Sequence, residues 1–464
     1  MRFRLVIFVA ILAICASFAS AQHHKWEWVS LNGSAKPAPI KVELLENDRH
    51  NIKFEITVAG YFKAVRKIKG KEVTLLHIPR CGRTLKNAGF PVVPKFCKFL
   101  KIDNYCDPKL EVVKKEVVEK DLAAPIIPAR GHFDRSIPFD SVAFEFGPIY
   151  EQDEFWPAAE DQFAIGKAFL LRDVRGVRFR MLPVSANHVQ KKLQIIQKAV
   201  VQIKCEEGRS LRNVITRSIP RPGKTFKKLY TNSFLNYTEP VRSTRNSVPD
   251  ENNKKLVVIV PSKFQNAINN WVVWKKKCGY KVTEKVVNAG VSKETIKSYL
   301  QGLYDNTSTR FSFVVLIGDS DSIPTFKGKK ERADSDRVYV RLAGNDNYPD
   351  AFISRISARS VDAVNKQVAK LVVYEKSANG SWLNRGIGIS SSQGSPSDKQ
   401  RSEWLQEGGG SSQKVPVVAG GLLGAGYTSF TDVYDPYGTD TQVANAINDG
   451  VSVATYIGHG SSTS

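Results

Sequence analysis

Between residues 24 and 215, apolar and polar positions alternate in short runs closed by proline or glycine. The runs IKVELLEND, NIKFEITVAGYF, EVTLLHIP, SVAFEFGPIY, VRFRMLPVSA and KAVVQIKCEE have the two-residue period of half-buried strands. No helical period is sustained there, so this part predicts an all-β domain of sandwich or barrel type. After Lys255 the period changes. LVVIVP is a continuous apolar strand. Ser262 then caps a helix carrying Phe264, Ile268, Trp271 and Val272, which Gly279 closes. YKVTEKVV is the next strand, and Ser292 opens a helix bearing Ile296, Tyr299, Leu300 and Leu303. FSFVVLIGD is apolar throughout and reads as a strand buried on both faces. A helix with Val364, Val368, Leu371 and Val372 follows, then GIGISSS, a helix near 398–407, QVANAIND and SVATYIGHG. Strand and helix alternating at this spacing predict an α/β unit, a mainly parallel sheet flanked by helices.

Residues 216–253 are rich in Pro, Ser, Thr, Asn and basic residues and poor in apolar ones, the composition of a linker. Lys227, Lys228, Arg242 and Arg245 would be exposed there, where proteolytic nicking concentrates.

The amino-terminal end reads as a secretory leader: Arg2 and Arg4, an apolar run from Leu5 to Cys15, and Ala19-Ser20-Ala21 as a small-residue cleavage site. That run is shorter than the about 20 residues of a membrane span, and no later stretch is long enough, so no transmembrane segment is predicted. LAIC, ending at Cys15, is a poor lipoprotein box because Ile14 is the wrong size. At 464 residues the chain predicts two to four domains of roughly 100–200 residues each. The formal net charge is +23, which could draw nucleic acid or an anionic surface. The basic residues are scattered and accompany no nucleic-acid motif, so a solvated basic surface is the simpler account and no nucleic-acid partner is predicted. Past the leader, only Cys81, Cys97, Cys106, Cys205 and Cys278 remain. The first three are near enough in sequence for one local bridge, and the odd number leaves a thiol over. No Cys/His spacing suggests zinc.

In parallel sheets, sites form beyond the carboxyl ends of strands. Three such ends carry polar chemistry: Asp319 after VVLIG, the stretch SSSQGSPSD, and His459 after ATYIG. Gly458 and Gly460 leave room for a substrate backbone beside His459, and the Gly460 N–H could donate to a developing oxyanion. A neutral imidazole there could serve as base to a nucleophile from a neighbouring strand end. Ser461, Ser462 and Ser464 stand too close in sequence to meet it well. The turns GDSDS and AGNDNYPD are oxygen-rich: Asp319, Asp346 and Asp350 with the carbonyls of Ala343 and Tyr348 could suit calcium, while turn chemistry alone would explain Asn345, Asp346 and Asn347. No glycine-rich phosphate loop follows LVVIV or VVLIG, which argues against a nucleotide-binding domain.

YIGHGSSTS resembles the histidine motif of the gingipains, the secreted cysteine peptidases of peptidase family C25 with a caspase-like fold. KKLVVIVPSKFQNAINNWVVWKKKCGYKV, FVVLIGDSDSIP, SDRVYVRLAGNDNYPDAFISRIS and DVYDPYGTDTQVANAINDGVSVATYIGHG follow that family in order. AGFPVVPKF and LRDVRGVRFRMLPVSAN are similar, less specifically, to the family's propeptide. The resemblance implies a signal peptide (1–21), a β-rich propeptide (22–215), a cleavable linker (216–253) and a caspase-like peptidase domain (254–464), incomplete at its carboxyl end. It implies a secreted zymogen of a cysteine endopeptidase, with His459 as base to a cysteine at the next strand end, outside this sequence. Cys278, ending the first helix, does not match that position. Asp398 would orient the histidine, although as a helix cap in SPSDKQ it has an ordinary explanation too. Gln393 departs from the glutamate of arginine-specific relatives. Glu403 falls where those relatives place the acid of the primary specificity pocket, which would favour Arg or Lys before the cleaved bond; an exposed helix acid is the plain alternative. Gly458 would lie against substrate, the calcium would be structural at the positions named above, no cofactor would enter catalysis, and the propeptide would act as inhibitor until the linker is cut. The alternative is a non-catalytic gingipain-like scaffold or secretion-system component.

Overall fold

The computed structural model describes residues 26–85, 87–133, 137, 141–208, 211–216, 222–238, 254–329, 332–377, 379–393, 397–407 and 421–458. The expected leader (1–21), Arg242, Arg245 and residues 459–464 lie outside these residues.

The first region is all-β, as its two-residue period predicts. Its strands are β1 (Glu27–Ser30), β2 (Lys41–Asn47), β3 (Asn51–Thr57), β4 (Gly60–Ile68), β5 (Lys71–His77), β6 (Gly82–Arg83), β7 (Pro94–Lys101), β8 (Cys106–Asp121), β9 (Phe163–Ile165), β10 (Phe169–Leu171), β11 (Val174–Met181), β12 (Val184–Asn187) and β13 (Lys192–Glu207). They form three sheets: β1-β4-β5; β10-β11-β7-β6 with β9 also on β11; and β12-β13-β3-β2, with β8 along the other side of β13. In β3 the alternation is strict: Ile52, Phe54 and Ile56 are buried and their neighbours are not. These side chains meet Phe179, Ile195, Val201 and Ile203 in one continuous core. The bridge among the cysteines is not the local one. Cys106 pairs with Cys205, 99 residues away, because β8 and β13 run antiparallel with Cys205 opposite Pro108 and Glu207 opposite Cys106. Cys81 and Cys97 are free thiols.

Part of the expected linker is folded. Helix α1 (Lys224–Ser233) buries Phe226 and Tyr230, which pack with Phe169, Leu171, Val174 and Phe234. The aromatics at 226, 230 and 234 have helical spacing, a signal outweighed in the composition by the lysines between them.

The second region is α/β. Its elements are β14 (Lys254–Pro261), α2 (Asn269–Lys277), β15 (Tyr280–Val287), α3 (Lys293–Asp305), β16 (Phe313–Ile317), the short ribbon β17 (Phe326–Lys327) and β18 (Asp334–Ser335), β19 (Phe352–Ile356), α4 (Val361–Ser377), β20 (Arg385–Ser390), α5 (Asp398–Glu407), α6 (Gly421–Gly424), β21 (Ser429–Tyr434), α7 (Asp440–Asn448) and β22 (Val453–Ile457). Apart from the antiparallel ribbon β17-β18, the strands are parallel as expected but fall into two sheets rather than one, β15-β14-β16-β19 and β21-β20-β22. The first sheet has a core on each face. Leu170, from β10 of the first region, belongs to one of them. Among the described residues, no helix is long and apolar enough to cross a membrane.

Candidate active site

A cluster of buried polar side chains, Ser390, Asp398, Ser402 and Gln406, lies around β20 and its carboxyl end. Pairing of β20 with β22 sets Ser390 opposite Ile457, and the Ser391 N–H donates to the Ile457 carbonyl at 3.1 Å. The end of β22 therefore delivers Gly458 beside Ser391. Helix α5 starts next to both. Ser397, not Asp398, caps it: the Gln400 N–H donates to Ser397 Oγ at 3.2 Å and the Ser397 N–H to Gln400 Oε1 at 3.0 Å, a reciprocal capping box. Relieved of capping, Asp398 points inward and is 0% exposed. Its Oδ2 accepts from Ser391 Oγ at 2.6 Å, and Arg401 Nη1 lies 3.9 Å from its Oδ1. Its backbone N–H donates to the Gln393 carbonyl at 2.8 Å, and that of Lys399 to the Ser391 carbonyl at 3.0 Å, so strand end and helix start are tied at several points.

Asp398, Ser402 and Gln406 form one buried stripe along α5 at four-residue spacing. Gln406 Nε2 donates to Asp432 Oδ1 at 2.9 Å and to the Tyr434 hydroxyl at 3.0 Å, and that hydroxyl donates to Asp432 Oδ1 at 2.7 Å. Burial, assisted by the Asp432 carboxylate, pushes the Tyr434 hydroxyl up to about 12. Gly388 is required by this contact, since a Cβ there would stand 2.1 Å from Gln406 Nε2. An apolar period could not reveal α5's buried face, because the face is polar.

His459 and Gly460 lie outside the described residues. Gly458 is half-buried at the end of β22, and a Cβ there would meet the Tyr456 hydroxyl at 2.7 Å. Glu403 is half-buried on α5, five residues after Asp398. Sequence reasoning singled out the serine run but assigned it no role. Ser391 holds Asp398, and the Ser390 hydroxyl is buried without a hydrogen-bond partner among the described residues.

The five expected calcium ligands do not form one set. Asp319 follows the carboxyl end of β16, its N–H bonded to the Ala358 carbonyl. Asp350 precedes the amino end of the parallel strand β19, where Phe313 pairs with Phe352. The strand length between them is about 20 Å at ~3.3 Å per residue. The Ser320 N–H and Arg359, at 2.8 Å, hold the Asp319 carboxyl below its ordinary value. Asp350 is fully buried, and its carboxylate oxygens accept the N–H groups of Arg172, at 2.8 Å, and of Leu342 and Ala343, both at 2.7 Å. Burial nevertheless raises it to about 6. Asp346 accepts from the N–H groups of Leu170 and Tyr348, both at 2.8 Å, and from Asn213 Nδ2 at 3.2 Å. Among the described residues no group of three His, Cys, Asp or Glu could hold a metal. Asp346 and Asp350 lie close together and accept N–H donors, those of Tyr348 and Ala343 among them, while the Tyr348 ring packs on Phe169 and Phe99.

None of the described cysteines lies at a strand end of the second sheet: Cys278 ends α2, and the others are in the first region.

The family model for peptidase family C25 matches residues 249–464, and that for the C25 propeptide matches residues 35–244. Gingipain R2 of Porphyromonas gingivalis is 30% identical over 389 residues, covering 82% of this chain and 50% of that protein. Lys-gingipain of the same organism is 26% identical over 315 residues, covering 64% of this chain and 17% of that one. This chain thus spans about half the length of Gingipain R2. The crystal structure of the Arg specific cysteine proteinase gingipain R is 28% identical, covers 49% of this chain and 50% of that one, and superposes with a TM-score of 0.39, too low to add to the fold read from the sheets themselves. The two family matches, consecutive and together spanning most of the chain, give one assignment: this chain belongs to peptidase family C25, with the family's propeptide ahead of its peptidase region.

Proposed function

We propose that the chain is the exported precursor of a cysteine endopeptidase whose reaction centre forms at the ends of β20 and β22. The observation that carries this reading is Asp398, a carboxylate with no exposure beside the strand end that leads into Gly458 and His459. Burying a carboxylate is costly unless partners hold it. A neutral imidazole donating one N–H to Asp398 would have its tautomer fixed, with its other nitrogen left to take a proton from a thiol. The resulting thiolate, stabilised by the imidazolium, attacks the peptide carbonyl, and the Gly460 N–H donates to the oxyanion. The imidazolium then gives its proton to the leaving amine, and water releases the acyl group. The family resemblance places the nucleophile on a cysteine following β22, and the described cysteines lie elsewhere. Glu403, on the same helix as Asp398, would receive an Arg or Lys side chain. The propeptide region, packed on the peptidase region through Leu170, would act as its inhibitor.

His459→Ala in the full-length activated protein is expected to lower kcat/KM on peptide substrates by at least about 10³-fold. Unchanged hydrolysis would overturn the mechanism. A full-length protein that is inactive before any substitution, with no cysteine after β22, would instead be the non-catalytic scaffold.

A further inference from the structure

The turn joining β10 to β11 carries an arginine that reaches out of the first region. Arg172 is 2% exposed. Its Nη1 donates to the carbonyls of Phe311 at 2.7 Å and Asp350 at 3.0 Å, and its backbone N–H to Asp350 Oδ1 at 2.8 Å. The guanidinium lies 4.3 Å over the Phe226 ring, and Nε pairs with Asp173 at 3.1 Å, whose other oxygen faces Arg310 at 3.8 Å. Arg172 takes a φ of 55°, a conformation that costs a side-chain-bearing residue on the order of 1 kcal/mol and persists where surroundings impose it. Around it, Leu170 enters the core of the first α/β sheet. Phe169 stacks on Tyr348 at 4.2 Å, and Asn213 accepts the Asn345 N–H at 2.7 Å.

We propose that Asp346 and Asp350, with the Phe311 carbonyl, form a socket for the propeptide turn 170–173, and that Arg172 is the anchor holding the propeptide on the peptidase region once the connection is cut. The socket lies at the amino ends of β16 and β19, whereas the candidate catalytic groups lie at the carboxyl ends of β20 and β22. The carboxylates that sequence assigned to a cation instead accept N–H donors. The charge that binds there is a guanidinium delivered by the chain itself, whose planar fork holds Asp173 through Nε while Nη1 donates to both carbonyls, a geometry the single ammonium of a lysine does not reproduce. This inference rests on the propeptide reading but not on catalysis, and its test reads association alone.

A single specific protease site inserted after Asn246 would allow the connection to be cut in a chain carrying His459→Ala, followed by gel filtration and titration of the two separated pieces. The wild-type pieces are expected to elute together. Arg172→Ala, on the propeptide side, and Asp350→Asn, on the peptidase side, are each expected to weaken association at least about 100-fold, because each leaves buried polar groups without partners. Having one variant on each side guards against misfolding of either piece. Pieces that separate in the wild type, or remain together in both variants, would overturn the proposal. So would millimolar calcium raising the melting temperature of the cut wild-type protein in a way that Asp350→Asn abolishes, which would return the carboxylates to a cation.

Discussion

The two parallel sheets of the α/β region have the same strand-and-helix build but are held by different forces. In the first, β14 is buried at every position from Leu256 to Pro261, and separate apolar clusters cover its two faces. In the second, only the central strand β20 is sunk; β21 and β22 are largely exposed or half-buried, and the fully buried apolar cluster is Ile387, Val433 and Ala446. Hydrogen bonds take over there, from Ser391 to Asp398 and from Gln406 to Asp432 and Tyr434. Apolar burial gives free energy with little direction, whereas hydrogen bonds require particular distances and angles. The sheet carrying the candidate catalytic groups is therefore the one whose geometry is set by direction, and the other supplies the stable platform.

The largest expected difference comes from a buried charge. Val258→Asp, at the centre of β14 and 0% exposed, is expected to cost more than about 4 kcal/mol and to prevent recovery of folded protein. A folded variant with an unchanged urea midpoint would erase the contrast between the sheets. Next, Gly388→Ala must displace the Gln406 amide from a point 2.1 Å from the new Cβ. It is expected to cost about 1–3 kcal/mol and to speed amide exchange in residues 429–434 while leaving β14 protected. Equal acceleration in β14 would show that the two sheets open as one unit.

A third expectation separates the propeptide from both sheets. Burial lowers His77 and His188 to about 4, so both stay neutral in the fold while an unfolded chain takes up protons below about 6.5. Their contribution is fully present above pH 6.5 and is lost as pH falls towards 4. The melting temperature of the propeptide should drop by a few degrees between pH 7 and pH 5, and His188→Gln should flatten that slope. Asp350, raised to about 6, has the opposite sign: its contribution is present at low pH and lost as pH rises through 6. A pH-independent propeptide would remove the histidines from this account. The smallest effect is expected from Thr431→Asp on exposed β21, within about 0.5 kcal/mol of wild type; a loss as large as that of Val258→Asp would mean that the second sheet buries a face not seen here.

Much of this was legible in the sequence because side-chain period follows backbone geometry directly. The two-residue alternation of Ile52, Phe54 and Ile56, and the apolar run from Leu256 to Pro261, each name their element with no knowledge of the rest of the chain. The helical aromatics of α1 were equally local, but their lysine-rich context concealed them. The buried stripe of α5 was legible only at Asp398, and there through the family resemblance; Ser402 and Gln406 carry no apolar period, and their burial depends on Asp432 and Tyr434 arriving from another strand.

Sequence alone determined the all-β and α/β halves, the parallel run of the second, and the clustering of polar chemistry at the end of GIGISSS, all of which follow from local steric and solvation preferences. Tertiary structure alone decided that the strands divide into two sheets, that Cys106 finds Cys205, that Ser397 takes the cap and frees Asp398 to be buried, and that Asp346 and Asp350 accept the backbone N–H groups of Leu170 and Arg172 while Asp319 stays with Arg359. Apart from the local Ser397 cap, each of these depends on which groups distant in sequence are brought within about 3 Å, and hydrogen bonds and disulfides at that range carry no periodic trace along the chain.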